Sequence, residues 1–529
     1  MTDIKEFARR RKHLMQDMRA DSIAILATAG EQVRNRDVNY SFRPDSDFLY
    51  LTGFWEPEAV LVLIPGRKHG EYVLFCREKD KTQEIWHGRR AGQEGVLDSY
   101  GADDSFPITD IDEILPGLME NKNRVFYTMG IHADFDQRLT GWVNQLKQKV
   151  RMGVNAPGEF VALDHPLHEM RLFKSANEIK MMKKAALVSC KAHMRLIKNC
   201  RPEMREYQLE AEFVHECMFN GCRDLAYPSI VGGGENGCIL HYTENNALLK
   251  DGDLVLVDAG GEYRGYASDI TRTYPVNGRF STEQKALYEL VLEAQSAAIE
   301  MVYPGSHWNA PHEAAVKVIT RGLVRLGLLK GRVDTLIKNE AYKAFYMHRT
   351  GHWLGLDVHD AGDYKVDNEW RMLEPGMVLT IEPGIYTGNN RKIAKKWRNI
   401  GIRIEDDVRV TRSGHEVLTI NAAKTVIEIE TMMASAKGVS ANDMDDNEKA
   451  VSLKKAISPQ RAVSPKRAIS SKKAVSSKRA ISAKRAVNMT KKTRTKQTVK
   501  KSVSKKKTVT RKAVRKKPAS RKKAVRKKQ

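Results

Sequence analysis

Cysteine is scarce in this chain: six in 529 residues (Cys76, Cys190, Cys200, Cys217, Cys222 and Cys238), none in a Cys-x-x-Cys pair. That excludes a disulfide scaffold and a zinc ribbon, and it suits a reducing compartment. Long apolar runs are also missing. Ala59-Val60-Leu61-Val62-Leu63-Ile64 is among the longest, far short of the roughly 20 residues that cross a bilayer, so no membrane span is expected. The first twenty residues carry charge throughout and lack a signal-type apolar segment, and a cytoplasmic protein is expected. Acidic residues are absent from Val451 to Gln529, where 31 Lys and Arg stand. The whole chain is +25, yet its first 450 residues carry 59 basic against 65 acidic side chains, a net of −6. The charge therefore describes a mildly acidic globular body with a basic tail.

The length allows two to four domains of roughly 100–200 residues, and 41% hydrophobic residues can fill their cores. In residues 1–172, Ser22-Ile23-Ala24-Ile25-Leu26, Ala59 to Ile64 and Glu71-Tyr72-Val73-Leu74-Phe75 read as buried strands between helices, an α/β layer. Ser175 with Glu178 forms a capping-box pattern, and Ile179, Met182, Ala185, Ala186 and Val188 then follow helical spacing. This opens a second domain over 173–430. Residues 431–450 read as a linker, and 451–529 as a disordered tail. There Ala456, Ala462, Ala468, Ala474, Ala480 and Ala486 recur every six residues, each followed by Ile or Val. That period fits no helix, and so few large apolar side chains cannot offset ordering entropy. Such a cationic segment predicts salt-sensitive, non-specific binding of DNA or RNA, which could hold the protein on a nucleoid or on chromatin. A plain solubilising tether is the bland alternative.

The second domain holds the chemistry. Leu254-Val255-Leu256-Val257 ends in Asp258, and eleven residues later comes Asp269, with Thr271 and Thr273 on its face by alternation. His352 lies in Met347-His348-Arg349-Thr350-Gly351-His352-Trp353-Leu354-Gly355-Leu356-Asp357-Val358-His359-Asp360. Val378-Leu379-Thr380-Ile381 ends in Glu382, and Gly401-Ile402-Arg403-Ile404 ends in Glu405. Apolar strands rarely carry an unpartnered carboxylate, because burying one is expensive. Four such carboxylates and a histidine can hold two divalent cations, and oxygen-rich ligation with one imidazole favours Mn²⁺, Co²⁺ or Zn²⁺. A cation pair would acidify a shared water and polarise a carbonyl.

These words, in this order, resemble the pita-bread metallopeptidases, which include methionine aminopeptidase, prolidase and Xaa-Pro aminopeptidase. Ser46-Asp47-Phe48-Leu49-Tyr50-Leu51-Thr52-Gly53, Trp86-His87-Gly88-Arg89-Arg90 and the run from His352 to Asp360 resemble the Xaa-Pro aminopeptidase family best, over residues 1 to about 430. The resemblance implies an α/β (α+β) architecture, with an aminopeptidase-P-type N-terminal domain before a pita-bread catalytic domain. It implies a metal-dependent exopeptidase that removes the residue preceding proline, with two divalent ions, manganese foremost, and a homodimer or homotetramer. By the same resemblance Asp258 chelates one ion, Asp269 and Glu405 bridge the pair, and His352 and Glu382 complete the other. Glu382 also shuttles the proton. His241, His348 and His359 meet substrate or the developing oxyanion, Arg403 fixes a carboxylate, and Trp86 lies on the substrate's proline side, from the same or an adjacent subunit.

Rival readings are weaker. His348 and His352 are spaced i, i+4 like a zincin pair, but residue 349 is Arg where that motif has Glu. Gly232-Gly233-Gly234-Glu235-Asn236-Gly237 matches GxGxxG, but Cys238-Ile239-Leu240-His241-Tyr242 reads as a strand where a dinucleotide site needs a helix. His13, His69, His132, His165, His193 and His415 read as surface residues. A prolidase, or a non-catalytic pita-bread binding module, remains as an alternative function.

Overall fold

In the computed structural model, residues 4–436 are described. Six strands near the N-terminus form one mixed sheet, ordered Asp104–Pro107, Tyr72–Cys76, Val60–Leu63, Ser22–Ala27, Arg124–Phe126 and Glu159–Val161. The three runs read as strands are its centre. They are apolar throughout because both faces are covered, so alternate residues serve different cores. Ile23, Ile25, Val60 and Val62 face the helices Ile111–Met119 and Ala133–Gln148. Ala24, Leu26, Leu61 and Leu63 instead enter a core shared with Ile179, Met182, Leu354 and Leu356 of the second domain. Burying Leu354 and Leu356 contributes about 1.5–3 kcal/mol each and ties the loop after His352 to the first domain.

The helix Ala176–Asn199 begins as its spacing predicts. Ser175 Oγ accepts from Glu178 N–H, and the Glu178 carboxylate accepts from Ser175 N–H at 2.9 Å. Two antiparallel sheets follow. Leu254–Asp258 lies between Ile230–Gly233 and Thr271–Pro275, and Asp406–Val410 lies between Val378–Ile381 and His415–Val417. Register sets the chemistry. Asp258 pairs with Thr271, two residues past Asp269, while Ile381 pairs with Asp406, so that Glu382 and Glu405 sit together at one end. The two sheets join where Glu405 N–H donates to Thr271 O at 3.1 Å and Thr273 Oγ donates to Arg403 O at 3.0 Å.

Three readings change. The strand that pairs with Leu254–Asp258 begins at Thr271, after a short hairpin of Gly261–Tyr263 and Tyr266–Ala267, so Asp269 stands on irregular chain just before it. Gly234–Cys238 is a 3-10 helix followed by irregular chain, and Cys238–Tyr242 forms no strand; Gly232 packs against Asn236 of the same turn. The helix Val426–Ala436 buries Met433 and runs six residues into the segment read as a linker. The basic repeat lies outside the described residues. Among the described residues no helix is long and apolar enough to cross a membrane.

Candidate active site

A cavity of about 420 Å³ opens where the strand ends meet, and Asp258, Asp269, His352, Glu382 and Glu405 all line it, with His241, His348, His359 and Arg403. Asp269, His352 and Glu405 each offer a donor atom, and these atoms lie within 4.8 Å of one another. His352 Nε2 is 3.4 Å from Asp269 Oδ2 and 3.7 Å from Glu382 Oε1. The ring is aimed by its other nitrogen, which donates to Trp353 O at 2.9 Å. Backbone bonds from Thr380 N to His352 O (2.9 Å) and from Glu382 N to Thr350 O (2.8 Å) zip the histidine segment onto the strand that delivers Glu382. Pro383, which offers no N–H, follows that carboxylate at the strand's end.

Arg403 is buried among these groups. Its Nη2 donates to Asp258 Oδ2 at 2.5 Å, Nη1 to the Tyr386 hydroxyl at 2.9 Å and Nε to Thr271 Oγ at 3.0 Å. Thr271 Oγ in turn donates to Glu405 Oε2 at 2.6 Å. His348 Nδ1 donates to Arg349 O at 2.7 Å, which leaves Nε2 to accept from the Tyr386 hydroxyl at 2.9 Å. His359 packs edge-on against His352, ring centres 4.4 Å apart. His241 lines the exposed mouth. Trp86 does not join them: on the short helix Lys81–His87 it is 77% exposed and lines no part of this cavity.

Three participants escaped the sequence reading. The Tyr227 hydroxyl lies 2.6 Å from Asp258 Oδ1 and 2.5 Å from Asp269 Oδ1, and its single proton can serve only one of them at a time. Asp407 accepts the Asp269 N–H at 3.2 Å. Tyr386 joins Arg403 to His348, as above. A tyrosine or a second aspartate in these positions carries no linear signal.

Burial raises the carboxyl pKa of Asp258, although Arg403 opposes it. It lifts Glu382 to about 7 against the pull of His352 and Arg403. Glu405 is driven well above its usual range by burial and by Asp269, Glu382 and Asp258. Burial would raise Asp269 too, but the His352 hydrogen bond and charge outweigh it and hold the group low. Burial alone would lower His352, yet Asp269 and Glu382 lift it to about 9. The balance is plain: four carboxylates share this cavity with the guanidiniums of Arg349 and Arg403, a net of −2 when all are charged and the imidazoles neutral. Each pair of like charges 4 Å apart costs about 4 kcal/mol at an effective dielectric of 20. Divalent cations would offset the crowding of like charge and leave His352 neutral, the form that ligates, so the donor set fits them.

His193, expected at the surface, is fully buried beneath the site with Nε2 2.9 Å from Ala259 O. Burial, outweighing the hydrogen bond to Ala259, pushes its pKa down to about 3. It therefore stabilises the fold above its unfolded pKa of 6.5, and that contribution is lost as pH falls toward 3. Between pH 6.5 and 4 the loss is about 3 kcal/mol. Thermal denaturation across this range should show a flatter acid limb in His193→Gln than in the parent protein.

Comparison with known proteins agrees with the geometry. Residues 180–412 match Metallopeptidase family M24, and residues 7–127 match Aminopeptidase P, N-terminal domain. The chain is 45% identical over 434 residues to Xaa-Pro aminopeptidase of Escherichia coli K12, covering 82% of this chain and 98% of that protein. It superposes on the structure of Pseudomonas aeruginosa aminopeptidase PepP with a TM-score of 0.82 and 62% identity, covering 82% and 99% of the two chains. Zn-substituted E. coli aminopeptidase P in complex with product superposes with a TM-score of 0.80 at 44% identity, covering 82% and 99%.

Proposed function

We propose, from the premise that this chain belongs to metallopeptidase family M24 and is a Xaa-Pro aminopeptidase dependent on divalent metal ions, that Asp258, Asp269, His352, Glu382 and Glu405 hold two of those ions. The observation that carries the reading is the convergence of four carboxylates and one aimed imidazole on a single cavity. When bound, the cations supply Lewis acidity to the scissile carbonyl and acidify water. The chain's own residues do the rest. Glu382 takes a proton from water and passes it to the departing prolyl nitrogen. Arg403 holds Asp258 in place. Tyr386 and the Arg349 carbonyl fix the ring of His348, which with His359 and His241 faces the substrate. An Xaa-Pro bond has no N–H for an extended-backbone binding mode to grip, and a site that polarises its carbonyl needs none.

Manganese is the native metal in this reading, supported by the oxygen-rich donor set. Metal analysis after dialysis, followed by reconstitution with Mn²⁺, Co²⁺ and Zn²⁺, checks it. The test of function is a metal-dependent assay on an Xaa-Pro-Yaa tripeptide beside the Xaa-Pro dipeptide, with Asp269→Ala as an inactive control. Cleavage of the dipeptide alone would favour prolidase.

We place the domain boundary at 172/173, the body in the cytoplasm, and two or four copies in the assembly. Ile85 and Trp86, 80% and 77% exposed, suit contact with a second copy, through which Trp86 could reach bound peptide. Light scattering, with Trp86→Ala compared for KM, tests this. Residues 451–529 are assigned to non-specific nucleic-acid binding. Deleting the chain after residue 440 should leave tripeptide turnover intact and abolish retention on DNA at low salt, and retention that persists would remove that role.

A further inference from the structure

Behind the loop that follows His352 lies a charge cluster for which the reaction has no direct use. It draws on three segments: Asp47 in the helix Ser46–Thr52, Arg171 and Lys174 at the domain junction, and Asp357 and Asp360 in the loop. Arg171 Nη1 donates to Asp47 Oδ1 at 2.8 Å, while its Nη2 reaches Asp357 Oδ2 and Asp360 Oδ1, each at 2.6 Å. Lys174 Nζ donates to Asp360 Oδ2 at 2.8 Å. The side chains of Arg171, Lys174 and Asp360 are at most 4% exposed.

A buried ion cluster is a poor staple, since an apolar contact would hold two domains as well. Its geometry shows what else it holds. Asp360 Oδ1 also accepts the Asp357 N–H at 3.3 Å, and the Asp360 N–H donates to Trp353 O at 2.9 Å, so the loop closes around one carboxylate. Gly355 permits the closure, because a Cβ there would lie 2.1 Å from Asp360 Oδ2. The carbonyl of Trp353 is also the acceptor that aims His352 Nδ1 at 2.9 Å. His359, one residue before Asp360, packs against the His352 ring and has no hydrogen-bond partner among the described residues. Both histidines thus depend on the backbone that Asp360 anchors.

We propose that Arg171, Lys174 and Asp360 are positioning residues, through which the N-terminal domain sets the loop that aims His352 and His359 into the cavity. Partners of metal-ligating histidines commonly change activity or metal affinity 10- to 100-fold when altered. Asp360→Asn should accordingly lower kcat for an Xaa-Pro-Yaa tripeptide about 10- to 100-fold, and should shift the visible absorption of the Co²⁺-loaded protein. Glu6→Gln is the control, a buried charge at the same domain junction but away from the loop: Glu6 accepts from Arg10 at 2.8 Å, from Ser175 at 2.5 Å and from Asn177. It should lower Tm and leave kcat and spectrum unchanged. If Asp360→Asn does not fold, Asp357→Asn carries the test, since that side chain is 42% exposed. Parental kcat and spectrum in the loop variants would overturn the proposal, as would an equal loss of kcat in Glu6→Gln. The inference rests on the roles given above to His352 and His359, and His352→Ala separates the two. Parental activity in His352→Ala sinks those roles, whereas loss there with none in Asp360→Asn sinks only the positioning.

Discussion

Glu405→Gln is expected to abolish turnover of an Xaa-Pro-Yaa tripeptide while leaving the metal-free protein at least as stable as its parent. The carboxylate is 2% exposed and faces Asp269, Glu382 and Asp258, whose charges with burial hold its proton tightly. Glutamine keeps the shape and can still accept the 2.6 Å hydrogen bond from Thr271 Oγ. It replaces a group that must give up a buried proton before it can ligate, and so removes the proposed bridging ligand without adding charge. A loss of about 10³-fold or more in kcat/KM corresponds to about 4 kcal/mol of transition-state stabilisation. Peptidase assay, metal content and thermal denaturation in chelator check the three parts. A fall in metal-free stability would show that Glu405 holds the fold through bonds other than those seen.

Gly260→Ala should damage the site with every ligand in place. A Cβ at this position would lie 1.7 Å from the carbonyl oxygen of Ser268 and 2.7 Å from its carbonyl carbon. Both atoms are backbone, so relief requires the chain after Asp258 to move away from the chain before Asp269. Overpacking of this kind costs about 3 kcal/mol, and a displacement of about 1 Å can cost roughly 100-fold in rate. Denaturant unfolding and metal titration should show lower stability and weaker loading together. A parental metal affinity would mean the turn yields elsewhere.

The five candidate ligands were legible because each ends an apolar run or sits in a distinctive word, where a buried charge has no bland explanation. The mixed sheet was legible for a related reason: strands covered on both faces must be apolar continuously. Asp269 was placed in the right pocket from an alternation that does not apply, since the strand begins two residues later. The pairing of Asp258 with Thr271, across an intervening hairpin, brought it there instead. Tyr227, Tyr386 and Asp407 were not legible, because a hydroxyl or carboxylate becomes a partner only when another segment approaches it. His193 failed for the opposite reason: surrounded in sequence by ordinary helix residues, it becomes buried only when the helix Ala176–Asn199 meets the strand ending in Asp258. Trp86 carries the family's word but lines no part of the cavity of its own chain, which leaves the adjacent-subunit half of its reading.

The donors are also spread along the polypeptide, and that has a consequence for biosynthesis. Asp258 and Glu405 are 147 residues apart. At 5–20 residues per second the ribosome releases the second roughly 7–30 s after the first. With the proposed ligand set, capture of the full metal complement has to wait until nearly all of the catalytic domain has emerged, which makes loading a late event in the life of each new chain and ties it to the ions present at that moment.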